Sequence, residues 1–378
     1  MKSLLIAPRF PWPPYTGDRL RASVWISALA ADGDVALIAP HGTIPADVPL
    51  RFYEARSSTT RAIRGAMTVL HENLPLQCLL GAPYDWPRAI ADARREMGPF
   101  DVTIVLLSRM HPWVRKSLEG RTILDAVDSL RRSAGERRKA ASPLTRWLWN
   151  IEERRVARIE REAARAYGQV VVVSEDETSD FGGAVAVAVS VTVTAKPLDD
   201  AARNYDFGFW GRLPYFANAD ATAWLLGEIW PAIRALHPSA TLIIGGAEAS
   251  RALRNDARRS GVTLISPVED IASFARNIRV ALMPLRYGSG QSSKVLEAAE
   301  AGCAIVGSPT ALRGLGALAP YTRIESSALG IARAAVELLT DADARARMTA
   351  RLRETISSHY ERSEALGRLC AIAAGKVR

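Results

Sequence analysis

The segment RYGSGQSSKVLEAAEAG, Arg286–Gly302, gathers the residues best suited to hold an anion. It follows the apolar run VALMPL, so a strand, a glycine turn and a helix start succeed one another. Lys294 stands in the first turn of that helix and Glu297 three residues on, hence on the same face. Helix N-terminal amides and a lysine together favour a diphosphate, and a carboxylate beside them can accept hydrogen bonds from ribose hydroxyls. The combination describes a sugar nucleotide. The plainer reading is a capping lysine followed by an ordinary first-turn glutamate. Two other phosphate cradles do not fit. A P-loop needs G-x-x-x-x-G-K-[ST], whereas Ser293 precedes Lys294 and Val295 replaces the hydroxyl that would meet magnesium. A dinucleotide fingerprint needs a third glycine, which Gly288 and Gly290 lack, and no glycine-rich turn follows the first strand.

Such a cradle needs a sheet behind it. SLLIAP, DVALIAP, DVTIVLL, TILDAVD and QVVVVSE are short apolar runs, and helix-like stretches such as DRLRASVWISALAADG lie between some of them. A second series follows in FGFWGRL, TLIIGG, VTLISPV, VALMPL and AIVGSP, with helical segments at ATAWLLGEIWPAIRALHP, DIASFARN and SKVLEAAEAG. Both alternations are those of parallel, doubly wound α/β sheets, predicting two domains that meet near SVTVTAKPLDDAARNYD. The valine/alanine run GGAVAVAVSVTVTA reads as a strand pair. The C-terminal stretch is helical, with a break expected around Ser357–His359.

A length of 378 residues suits two domains, and 48% hydrophobic with 24% charged residues is a globular composition. Cys78, Cys303 and Cys370 are far apart and odd in number, so neither a disulfide framework nor a zinc site is expected, and a reducing cytosol fits. The N-terminus reads as a first strand rather than a signal peptide. No run approaches the roughly 20 apolar residues of a membrane helix. The formal charge is +9, and between Arg131 and Arg165 eleven Lys or Arg stand against five Glu. PLTRWLWNIEERRVARIEREAARAYG reads there as one long helix, either a solvated face laced with ion pairs or a surface meeting anionic lipid or an anionic acceptor. No nucleic-acid-binding motif accompanies the charge.

The stretch RYGSGQSSKVLEAAEAGCAIVGSP resembles the donor-binding signature of retaining glycosyltransferases of family 4, which have the GT-B fold of two Rossmann-like domains facing across a donor-binding cleft. APRFPWPPYTGDRLRA resembles that family's first loop, and FWGRLPYFANADATAWLLGEIWPAIRALHPSATLIIGG the opening of its second domain. LLSRMHPWV and ILDAVDSLRRSAGERRK are similar to a bacterial exopolysaccharide-associated subgroup. The resemblance implies an acceptor domain over 1–194, a donor domain over 195–355 and a helix, 356–378, returning to the first domain. It implies that Arg212 and Lys294 neutralise the donor diphosphate and Glu297 holds the ribose. Gly17 would let the first loop approach the phosphate, with Asp18 near the sugar or acceptor. Val268 would edge the nucleobase, and Gly288, Ser289 and Gly290 would offer amides to the transferred sugar.

Departures from the family pattern are visible. The glutamate often found eight positions before Glu297 is Ser289 here, and a basic residue often found six after the arginine is Asn218. A histidine common near the end of the strand ILDAVDS is absent, leaving Asp128, or a strand-end turn residue, at that place, with His111 of RMHPW as a second candidate that can equally be structural. The resemblance implies transfer with retention from a nucleotide-sugar such as a UDP- or GDP-sugar to a hydroxyl acceptor, lipid-linked or polysaccharide. No metal and no cofactor is expected, and no D-x-D motif stands out. The expected place is the cytoplasm, at or near the inner face of the membrane. A secondary-metabolite transferase and a catalytically idle sugar-nucleotide-binding homologue are the alternatives.

Overall fold

A computed structural model describes residues 1–14, 16–188 and 199–377. Contacts divide the chain into two units, Met1–Val189 with Ser363–Arg378, and Ser190–Arg362. The first holds β1 (Lys2–Ile6), β2 (Asp34–Ala39), β3 (Arg51–Glu54), β4 (Val102–Leu106), β5 (Thr122–Val127), β6 (Gln169–Val172) and β7 (Val185–Ala186). Its helices are α1 (Gly17–Ala30), α2 (Thr59–His71), α3 (Trp86–Met97), α4 (His111–Val114), α5 (Leu130–Ala140) and α6 (Arg146–Ala166). The second holds β8 (Tyr205–Arg212), β9 (Leu242–Ala247), β10 (Thr263–Ile265), β11 (Ile278–Met283), β12 (Ala304–Gly307) and β13 (Arg323–Ile324). With them come α7 (Phe216–Trp224), α8 (Trp230–Leu236), α9 (Arg251–Arg259), α10 (Ile271–Arg276), α11 (Ser293–Glu300), α12 (Ala328–Thr340) and α13 (Ala342–His359). The last helix, α14 (Arg362–Ala373), belongs to the first unit from Ser363 onward.

Both sheets are parallel, in the orders β3-β2-β1-β4-β5-β6-β7 and β10-β9-β8-β11-β12-β13. Strand order reverses between β1 and β4 in one and between β8 and β11 in the other. Chains leaving these neighbours at their carboxyl ends diverge to opposite faces, and the gap is where doubly wound sheets hold ligands. The central strands are largely apolar and buried because both faces are covered, whereas β3, β10 and β13 toward the sheet edges are more exposed. Leu4 and Ile6 pack on the face that also buries Trp86 of α3 and Ala163 of α6. Leu5 packs on the other with Trp25 of α1 and with Leu369 and Ile372 of α14.

The expected long helix over the basic stretch is α6. The expected helix from Ala221 is continuous from α7 to α8 but passes through a π-turn at Leu225–Ile229, just before Pro231. Proline has no amide hydrogen to close an ordinary α-turn, so one wider turn absorbs the mismatch. The C-terminal helical break lies at Tyr360 and Glu361, slightly beyond the expected place. Of the valine/alanine run, Val185–Ala186 forms β7, and its second half, with the expected boundary at 194/195, lies outside the described residues. No helix of the described residues is long and apolar enough to cross a membrane.

Candidate active site

In the second unit β8 ends in Trp210, Gly211 and Arg212, next to the start of α11. Gly211 sits at φ +149°, and a Cβ there would lie 2.4 Å from Cε of Lys294. A Cβ on Gly246, also at φ +149°, would lie 1.8 Å from the Gly211 carbonyl oxygen. Glycine is therefore required at both strand ends, and the lysine stem lies directly across the β8 backbone. Lys294 forms no hydrogen bond or ion pair among the described residues. Burial lowers its pKa from the ordinary lysine value, while the charge of Glu297 acts in the opposite sense. Glu297 accepts a 2.7 Å hydrogen bond on Oε2 from Trp210 Nε1, which fixes its carboxylate. Asn218 is buried, donating from Nδ2 to the Arg212 carbonyl at 2.7 Å while its Oδ1 has no partner. Ser292, the residue before α11, makes no capping bond, and its buried hydroxyl is likewise unpartnered.

Gly288, Ser289 and Gly290 form the turn between β11 and α11, with φ of +155° and +67° at the two glycines. Arg313 Nη1 donates to the Gly288 carbonyl at 2.6 Å, which holds the turn. Arg212 is exposed and engaged by Glu248, Nη2 to Oε2 at 3.0 Å and Nε to Oε1 at 3.3 Å. The guanidinium holds that carboxyl below its usual range. Val268 is half-buried in the loop between β10 and α10, and Ser266 of the same loop accepts from the Ala249 amide at 3.1 Å.

In the first unit Gly17 opens α1, and nothing lies within 4 Å of where its Cβ would be. Neither packing nor a positive φ demands glycine there. Asp18 accepts from Thr16 Oγ1 at 2.6 Å and pairs with Arg9 Nη1 at 3.2 Å. Arg109, just past β4, has its Nε buried without a partner. Burial lowers its pKa first, and the charges of Arg9, Asp18 and Asp128 all reach it. These four charged groups therefore gather past the carboxyl ends of β1, β4 and β5. Leu107 at φ 70° and Val127 at φ 64° lie at two of those ends, each costing about 1–3 kcal/mol of backbone strain. Buried Asp125 of β5 holds this edge: Arg21 Nε and Trp25 Nε1 of α1 both donate to it at 2.6 Å, and the Val127 amide at 2.9 Å. Glu160 of α6 accepts from the Leu130 amide at 2.7 Å, securing the segment after Asp128, and burial pushes its carboxyl up to about 8.

His111 is placed elsewhere. It is buried against Tyr167, ring centroids 5.6 Å apart, beside a cavity of about 190 Å³ lined also by Gly120, Thr122 and Ala166. Those residues precede or begin β5 and β6, at the amino ends of the strands. Burial, then the charge of Arg115, lowers its pKa to about 4, so the ring is neutral. Among the described residues no group of three or more His, Cys, Asp or Glu could hold a metal ion.

Residues 204–341, within the second unit, match the family model described as glycosyl transferases group 1. Sucrose-phosphate synthase from Thermosynechococcus elongatus superposes with a TM-score of 0.77 at 13% identity, covering 100% of this chain and 99% of that one. HepE from Anabaena, solved with UDP and glucose, gives 0.69 at 11% identity, covering 99% and 100%. WaaG, titled a glycosyltransferase involved in lipopolysaccharide biosynthesis, gives 0.67 at 14%, covering 99% and 100%. The fold is GT-B. Identities this low carry the GT-B architecture and nothing finer. No curated protein matches the sequence.

Within the GT-B framework the structure brings Lys294, Glu297 and the Gly288–Gly290 turn to the carboxyl ends of the neighbouring strands β8 and β11, and in the other unit Asp18 and Asp128 to those of β1 and β5. It does not bring His111 to that second group. Trp210, Gly211, Glu248, Arg9 and Arg109 are neighbours that motif reading missed. A signal was present for three of them: Trp210, Arg9 and Arg109 each stand at or just beyond the end of a strand legible from its apolar run.

Proposed function

We propose that the chain is a retaining glycosyltransferase of the family 4 kind, moving a sugar from a nucleotide-sugar such as a UDP- or GDP-sugar to a hydroxyl acceptor in cell-surface polysaccharide synthesis. The observation that carries this reading is the Lys294 ammonium, without an ion pair among the described residues, lying across Gly211 one helical turn from the Trp210-tethered Glu297. Support comes from the family match over the same unit and from HepE, a GT-B protein solved with UDP and glucose. In this reading Lys294 and the first-turn amides of α11 meet the diphosphate, and Arg212 joins them by exchanging Glu248 for phosphate. Glu297 accepts from the ribose hydroxyls, Val268 borders the base, and Gly288, Ser289 and Gly290 offer amides to the sugar.

As the anomeric C–O bond to the diphosphate breaks, negative charge grows on phosphate oxygens and positive charge on the sugar. Cations already in place stabilise that separation without reorganising. The acceptor oxygen bonds to the anomeric carbon from the face the diphosphate leaves, and its proton passes to a departing phosphate oxygen. Asp18 and Asp128, among the charges of Arg9 and Arg109, would orient acceptor hydroxyls. Gly17 leaves the start of α1 open to a phosphate. These groups supply the charge without a metal.

The test is a thermal-shift panel of UDP, GDP, ADP, dTDP and their sugar conjugates, with and without magnesium, followed by transfer from whichever donor binds. One nucleotide class should stabilise the protein without metal. Lys294→Ala should lower turnover by about 10²–10³-fold, the scale of losing one electrostatic stabiliser. A silent panel, or near-normal turnover in Lys294→Ala, would overturn the assignment.

A further inference from the structure

Among the described residues sixteen large hydrophobic side chains are exposed, and ten of them come from two stretches of the first unit, 63–80 and 144–151. Their spacing is helical but faces water. Ile63, Met67 and Leu70 repeat at i, i+4 and i+7 along α2, with Leu70 72% exposed. Leu144, Trp147, Leu148 and Ile151 repeat at i, i+3, i+4 and i+7 into α6, with Leu144 85% exposed. A stripe at this period normally turns into a core. Here other faces of both helices already do so: Val69 of α2 and Ile159 of α6 share one buried cluster with Leu74 and Cys78.

The two stretches are joined. Glu152 of α6 accepts from the amides of Leu76 and Gln77 at 3.0 and 3.4 Å, and Arg158 Nη2 donates to the carbonyls of Glu72 and Asn73 at 2.8 Å each. Leu148 stands one turn before Glu152 on the same face of α6, and the amide that Glu152 holds is that of exposed Leu76. The charges are one-sided. Arg64, Arg146 and Arg154 are exposed and have no ion pair among the described residues. Most nearby acids are spent, Asp85 on Arg61, Glu153 on Arg138 and Glu136 on Lys139, leaving Glu72 exposed.

We propose that this face, formed by α2, the turn at Leu76–Leu80 and the start of α6, docks on an anionic lipid leaflet. Its apolar side chains enter the headgroup boundary, and the arginines meet lipid phosphates. An amphipathic surface carrying Trp, Leu and Ile with arginine suits that boundary. A second copy fits less well, since a two-fold pairing of the same patch sets arginine against arginine. The proposal does not rest on the transferase reading.

Co-sedimentation of the full chain with vesicles of equimolar phosphatidylcholine and phosphatidylglycerol tests it, against vesicles of phosphatidylcholine alone. The wild type should pellet with the anionic vesicles, and added salt should weaken this. Arg146→Ala with Arg154→Ala should lower the vesicle affinity by about 10-fold or more, each arginine being worth about a factor of five at such a surface. Leu70→Glu with Leu148→Glu should abolish pelleting at an unchanged melting temperature; should that variant misfold, the arginine pair decides. A wild type that stays in the supernatant overturns the proposal. So does equal binding to neutral vesicles, or a dimer, absent in the Leu70→Glu/Leu148→Glu variant, that forms where vesicles are ignored.

Discussion

Trp210 and Glu297 are 87 residues apart in sequence and 2.7 Å apart in space. The indole has one donor and nowhere else to spend it, so the carboxylate is held in one orientation before any ligand arrives. Trp210→Phe keeps the packing and removes the donor. Nucleoside diphosphate affinity should then fall about 10-fold, since a hydrogen bond to a charged group is worth about 1.5–3 kcal/mol and only part of it is lost when the carboxylate swings free. Calorimetric titration of wild type and variant measures this, and an unchanged dissociation constant would remove Trp210 from the site. Lys294 and Glu297 are legible in the sequence because a helix start is local, and three residues of spacing fix a face. Gly211 is not, because its need for glycine arises from a lysine stem supplied by a strand-turn-helix far along the chain.

At the scale of elements, α1 is bolted to β5 by the buried ion pair of Arg21 with Asp125, joined by Trp25. This bond sets Asp18, at the start of α1, relative to Asp128, at the end of β5. Asp125→Asn would strand the Arg21 charge in the core, where its Nη2 already lacks a partner, and should cost about 3–5 kcal/mol by urea unfolding. The apolar runs made β5 and its neighbours legible, but not this pairing: an aspartate inside TILDAVD offers no hint of its partner in DRLRASVW. Short β3 and β13 also escaped, since two to four residues carry too little periodicity to separate from loop. His111, packed in α4, has a folded-state pKa of about 4, below its unfolded value near 6.5. The unfolded chain therefore binds the extra proton first, and stability present above about pH 6.5 should be lost as pH falls toward 4. Melting temperatures across that window should drop for the wild type and drop less for His111→Gln; identical slopes would contradict the burial of a neutral ring.

Across the whole molecule, two parallel sheets repeat one strand order, and the chain leaves the first unit and comes back to it. The return is substantive. Leu369 and Ile372 are fully buried against Leu5, Leu29 and Ile104, and Arg121 Nη1 donates at 2.7 Å to the carbonyl of Ala373 at the end of α14. Leu369→Ala should destabilise the first unit by about 2–5 kcal/mol, although it lies in the last helix of the chain. A matched loss confined to the second unit, read by limited proteolysis of the two halves, would contradict this. Two doubly wound domains were legible because strand and helix periods alternate over the whole chain. The basic stretch at Arg131–Arg165 was legible as charge alone; that an apolar face accompanies it required knowing which sides of α2 and α6 the core had already taken.

The position of α14 also bears on how the protein is made. Domains tend to complete themselves in the order in which they leave the ribosome. Here the first unit leaves the ribosome without the side chains that close one face of its sheet, and must wait for Leu369 and Ile372 to emerge. The second unit, one uninterrupted stretch, is translated later yet can finish folding earlier. During synthesis the half-built first sheet exposes an apolar surface for the time needed to translate the rest of the chain, making it the part of the nascent protein most in need of a chaperone.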